Sequence, residues 1–323
     1  MKTKYYKGFS VYNFGSQNLV FVALHPTTSL RILPRGDVGA DLLSLRLANV
    51  FGGTSIISFI PRDQEWGLDF NRLAPSRRIA FRGYKYYKDG IEEEFFKFKK
   101  RYSWIARNEN EHRQKESIYR NFWNCVEKFS NRDSLILFIH VQDLSLRNYP
   151  SLVDVIPLKG FAEEKVKDLI ENLNRRFSRI FKEIKKDFLE CLLFNEKHLF
   201  RSFVLQKARH FKKGLFRGDL KEIYMKTMKR LEYLGFAPLR RELELKFSLE
   251  NYLKVVREVV KRVPLRITYK LNFDGSLAYG SKMFLRKRKF GLELEVSVFL
   301  SEIYTNLGVL ILSELVKSIK TIL

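Results

Sequence analysis

Six short apolar runs, each bounded by turn residues, constrain this chain more than any other feature. They are NLVFVAL from Asn18, TSIISFI from Thr54, SLILFI from Ser134, LVDVIPL from Leu152, LRITYKL from Leu265 and LELEVSVF from Leu292. Runs of this length and composition are the mark of strands buried on both faces of a sheet. Between the first two lies DVGADLLSLRLANVFGG, with apolar residues at Leu42, Leu43, Leu45, Leu47 and Val50 and glycines where a helix would stop. A second helical stretch, ESIYRNFWNCVEKF, precedes the run at Ser134. Strand, helix, strand in that order predicts an α/β fold: a three-layer domain with a central mixed, largely parallel sheet.

The 323 residues suffice for one such domain carrying an insertion. From Phe161 onward, as in EEKVKDLIENLNRRFSRIFKEIKKDFLECLLF, about a hundred residues are helical in period before the run at Leu265. The expected division is therefore an α/β domain over 1–160 and 262–323, with a basic helical insertion over 161–261. The C-terminal IYTNLGVLILSELVKSI is apolar in the middle but interrupted by Asn306, Ser313 and Glu314, so a buried helix is expected rather than a membrane span. The opening residues MKTKYYKGFSVYNFG lack a continuous apolar segment, so no secretory signal is expected there. Cys125 and Cys191 are too few for a disulfide framework and lack zinc-ribbon spacing, which suits reduced thiols in a cytoplasmic protein.

Lys and Arg number 60 against 36 Asp and Glu, a formal charge of +24, so the chain should attract anions: nucleic acid, anionic lipid or an acidic metabolite. Within the insertion, Lys207, Arg209, Lys212 and Lys213 sit in RSFVLQKARHFKKGLFRG with phenylalanines between the cations. That pattern suits either stacking on single-stranded nucleic acid or an ordinary solvated helix face.

The chemistry-bearing residues gather at strand ends, where open α/β sheets bind ligands. His25 closes FVALH and His140 closes LFIH. Asp37 stands just before the first helix, as an N-cap or as a carboxylate facing the two histidines; two imidazoles and one carboxylate form a familiar catalytic zinc set. Glu293 and Glu295 share one side of their strand by its period of two, either as solvated glutamates on an exposed edge or as a general base beside a metal-bound water.

Taken in order, the strand ending in His25, Asp37, the segment GGTSIISFIPRDQEWGLDFNR, the strand ending in His140, and LNFDGSLAYGSKM with GLELEVS resemble the N-formylglutamate amidohydrolase family, which is similar in fold to zinc carboxypeptidases and aspartoacylases. The resemblance implies zinc held by His25, Asp37 and His140, and Glu295 as the catalytic glutamate. It implies Arg62, Arg72, Asn71 and Asn272 as residues around an anionic small-molecule substrate, with Asp69 locking Arg72 in a bidentate pair. HPTT replaces the family's His-Ser-Gly after the first histidine, and HVQD its His-Ser-Met after the second. The activity implied is hydrolysis of an acidic N-acyl amino acid or related amide. A second expectation, from the charge and the basic insertion, is a non-catalytic nucleic-acid or polyanion-binding protein on a decayed hydrolase fold.

Overall fold

The computed structural model describes residues 1–15, 18–26, 37–62, 65–211 and 218–323; over 202–211 and 218–224 it is described at the level of the helix alone. The expected runs all form strands: β3 (Leu19–Ala23), β4 (Thr54–Ser58), β5 (Leu135–Gln142), β6 (Ser151–Lys159), β7 (Arg266–Tyr269) and β8 (Phe290–Ser297). Two more, β1 (Lys2–Tyr6) and β2 (Phe9–Asn13), form an N-terminal hairpin that pattern alone does not reveal. The sheet runs β1-β2-β4-β3-β5-β8-β6-β7. Strands pair parallel from β4 through β3 and β5 to β8, while β6 returns antiparallel beside β8, which makes the sheet mixed.

Helices cover both faces. On one side α1 (Ala40–Phe51), α5 (Glu163–Glu183), α9 (Leu249–Arg262) and α11 (Thr305–Thr321) bury Leu43, Leu47, Val166, Ile170, Val256, Ile311 and Leu315 against Phe21, Leu137 and Leu294 of the sheet. On the other, α4 (Glu109–Lys128) packs Tyr119, Phe122 and Val126 on Val20, Val22, Ile136 and Phe138. Around it lie α2 (Arg77–Lys88), α3 (Glu92–Arg101) and α10 (Tyr279–Leu285). The helical insertion runs between β6 and β7 as α5, α6 (Lys185–Phe211), α7 (Gly218–Tyr233), α8 (Ala237–Leu245) and α9. Its apolar residues join the same buried cluster as the first sheet face. The C-terminal segment is the buried helix α11, and no helix among the described residues is long and apolar enough to cross a membrane. Both cysteines are free thiols.

Three boundaries differ from the sequence reading in ways that matter to the site. β3 ends at Ala23, so His25 lies in the loop beyond it; β5 continues past His140 to Gln142, so His140 is inside a strand. Helix α1 starts at Ala40 with Gly39, in the left-handed conformation, at its N-cap, and no side chain caps it. Asp37 contributes only its backbone carbonyl there, accepting the Ala40 N–H at 3.0 Å, which leaves its carboxylate for other work.

Candidate metal centre

Strand order decides where the two glutamates of β8 face. β8 lies between β5 and β6 in the interior of the sheet, so the exposed-edge alternative for Glu293 and Glu295 does not hold. Leu292, Leu294 and Val296 fill the apolar layer on one face, which by strand alternation turns Glu293 and Glu295 to the other, both buried. The register sets Glu295 beside His140 and Glu293 beside Phe138.

His140 is held from two sides. Its Nδ1 is 2.8 Å from Asp37 Oδ2, a hydrogen bond, and its Nε2 is 3.2 Å from Glu293 Oε1 without hydrogen-bond geometry. Donor atoms of His140, Glu293 and Glu295 lie within 4.8 Å of one another, and among the described residues this is the group that can hold a metal ion. The buried Nε2 of His140 and Oε2 of Glu293 have no hydrogen-bond partner. Buried polar atoms are rarely left so, and a cation between them would satisfy both. The group includes His140 from the expected ligand set and adds Glu293 and Glu295. His25 and Asp37 border it, His25 with its ring centroid 5.6 Å from that of His140.

Asp69 lies beside this group. It does not lock Arg72 in a bidentate pair: Arg72 Nε stands 3.7 Å from Asp69 Oδ2, without a hydrogen bond between them. Its carboxylate instead meets His25 Nε2 at 3.2 Å and Arg62 Nε at 3.3 Å, and Arg62 Nη1 reaches Asp37 at 3.9 Å. Arg62 is the half-buried member, its side chain 30% accessible, whereas His25, Asp37, Asp69 and His140 are buried.

The remaining expected residues position the site. Arg72 Nη1 donates to the Leu277 carbonyl at 2.6 Å, joining its loop to the segment before α10. Asn71 Nδ2 donates to Glu293 Oε1 at 3.1 Å, and Ser281 Oγ donates to Asn71 Oδ1 at 2.9 Å. Gly280 makes that approach possible: a Cβ there would stand 2.1 Å from the Phe70 carbonyl oxygen. Asn272 is fully engaged, donating to Gln142 Oε1 and the Asn148 carbonyl and accepting from Arg230. Its loop hangs on Asp154, which accepts the N–H groups of Leu271, Asn272 and Phe273. Lys207, Arg209, Lys212 and Lys213 lie outside the residues whose side chains are described.

Protonation follows from this crowding. Burial works against charge on His140, but the carboxylates of Glu293, Asp37 and Glu295 outweigh it and push the imidazole up to about 9. Burial pushes Glu295 up to about 8, His140 opposing and Glu293 and Asp37 adding to it. Burial also raises the Asp69 carboxyl, yet Arg72, His25 and Arg62 hold it well below the usual carboxylate range. His25 is lowered, because burial outweighs the pull of Asp69. The two histidines are thus shifted in opposite directions, His140 up and His25 down.

Asp69 and Glu293 are the residues whose parts the sequence did not disclose. The period-two partnership with Glu295 was the available signal for Glu293, and position in LDFNR the signal for Asp69. No family model, curated protein or solved structure matches the chain.

Proposed function

We propose that the chain is a metal-dependent hydrolase that cleaves an amide of an acidic small molecule, as the resemblance to the N-formylglutamate amidohydrolase family implies. The observation that carries this reading is the convergence of His140, Glu293 and Glu295 with two buried, unpartnered donor atoms among them. Zinc is the metal the resemblance names, and a nitrogen with carboxylate oxygens is a donor set it accepts. Held by His140, Glu293 and Glu295, a divalent ion would supply a water acidic enough to attack near neutral pH and a Lewis acid for the carbonyl.

The chain's own residues do the rest. Asp37, through Nδ1, fixes the His140 ring so that Nε2 points to the carboxylates, an arrangement common behind metal-bound histidines. His25, neutral and backed by Asp69, is the group able to take up the proton of the attacking water and return it to the leaving nitrogen. Arg62, the half-buried cation at the rim of the cluster, meets the substrate's anionic group.

This assignment departs from the one the resemblance implies, in which His25, Asp37 and His140 bind zinc and Glu295 moves the proton. Metal content of purified variants separates them. Here Glu293→Gln and Glu295→Gln lose the ion and Asp37→Asn retains it with weakened affinity; under the other assignment Asp37→Asn loses it and Glu295→Gln keeps it without turnover. Wild-type protein that takes up no divalent metal would refute both.

A further inference from the structure

The opposite end of the sheet carries a second concave site. Strand β8 begins there and the antiparallel β6 ends there, roughly 16 Å from Glu295 at about 3.3 Å per residue along β8. The depression has a volume of about 630 Å³ and is lined by Arg132, Lys159, Arg286, Lys287, Arg288 and Lys289, together with Gly160 and Phe290. Six cations and no acid line it.

It is a built feature rather than a solvated run. Lys159 Nζ donates to the carbonyls of Leu285 and Arg286, both at 2.9 Å, which ties the end of α10 to the end of β6. Gly160 has a φ of +84°, and a Cβ there would lie 2.1 Å from the Lys289 carbonyl oxygen, so the wall depends on glycine. Arg288 is folded inward, its Nε donating to Ser130 Oγ at 3.2 Å. Lys289 pairs with Asp133 at 2.7 Å and Lys287 lies 3.9 Å from Glu127. Among the described residues the exposed Arg132 and Arg286 have no carboxylate within ion-pair reach. Beyond the end of α4, a second, smaller depression is lined by Lys2, Lys4 and Lys128.

We infer that this basic bay binds the phosphate backbone of a single-stranded nucleic acid. Cations on both sides of the α4 terminus match a chain of phosphates better than one phosphate. Large exposed apolar side chains, which a membrane-inserting surface would offer, are absent from the bay's lining. Cations spaced along a surface bind such a backbone by releasing its counterions, with little demand on sequence.

The test is the anisotropy of a labelled oligouridylate titrated with full-length protein at several KCl concentrations between about 50 and 200 mM. Simultaneous Arg132→Glu, Arg286→Glu and Lys287→Glu should weaken binding about tenfold or more and make the slope of log affinity against log salt shallower by about 2. The control reverses the same charge at Lys165, Arg175 and Lys182, exposed on α5, and should keep most of the slope. Far-ultraviolet circular dichroism checks folding, and alanine at the same three bay positions replaces the reversals if they unfold the chain. Equal losses in bay and control variants would overturn the inference, because net charge alone would then explain binding. So would bay-dependent binding to phosphatidylserine vesicles that the oligonucleotide cannot displace.

Discussion

At the scale of the residue, His140 is an imidazole with carboxylates around it, and the proton it carries has to leave before a cation can use its Nε2. With His140 pushed up to about 9 and Glu295 to about 8, both are mainly protonated at pH 7 in the metal-free chain. Metal uptake should therefore tighten as pH rises from about 6 to 9 and release up to about two protons per ion. Calorimetry in buffers of different ionisation enthalpy reads that number directly. Asp37→Asn removes one of the charges that raise His140, so it should release fewer protons while weakening affinity about 10- to 100-fold, the usual cost of losing the group that orients a metal-binding histidine. Proton release unchanged in that variant would mean that Asp37 does not govern the His140 proton.

At the scale of the element, the connection between β5 and β6 is pinned from the insertion by one buried carboxyl. Glu196 of α6 accepts the Leu146 N–H at Oε1 and the Tyr252 hydroxyl of α9 at Oε2, the latter at 2.5 Å. Burial pushes it up to about 7, which is above its unfolded value. The folded chain therefore binds this proton more tightly, and the stability it confers is complete below about pH 4.5 and is lost as pH rises through 7. Glu196→Gln should flatten the fall in Tm between about pH 5 and 7.5, a difference of up to about 3 kcal/mol; parallel curves for the two proteins would exclude the effect. Elements like these also mark what sequence can disclose. The strands β3 to β8 were legible because each is a short, mostly apolar run bounded by turn residues, and in β8 the apolar face alone, Leu292, Leu294 and Val296, carries that signal. The hairpin was not, because β1 is an exposed edge strand whose KTKYY reads like a polar tail. Period two put Glu293 and Glu295 on one face, but whether that face met water depended on β6 folding back beside β8, a long-range pairing that no local pattern encodes. LDFNR was likewise visible as a charged loop while the partners of Asp69 were not: His25 reaches it from the connection after β3, and Arg62 folds back onto it from seven residues earlier in its own loop.

At the scale of the whole molecule, the question is whether the helical insertion is an appendage or part of the core. Phe177 and Phe181 of α5 belong to the buried cluster that also holds Leu137 of β5, Leu294 of β8 and Leu315 of α11. Helix α5 lies against β7, and Asn174 binds that strand in both directions, donating to the Ile267 carbonyl at 2.9 Å and accepting its N–H at 2.7 Å. Separating the helices from the sheet would expose apolar surface on both and leave those β7 groups unpaired, which favours one cooperative unit. Unfolding followed by calorimetry should therefore be a single transition whose calorimetric and van't Hoff enthalpies agree. Phe177→Ala, which removes a buried ring, should cost about 3–5 kcal/mol and lower that one transition as a whole. Hydrogen exchange makes the test sharper: amides of β5 and of α9 should lose protection by the same free energy in the variant. Loss confined to α9, with β5 unchanged, would show two cooperative units and return the insertion to the status of a separate body.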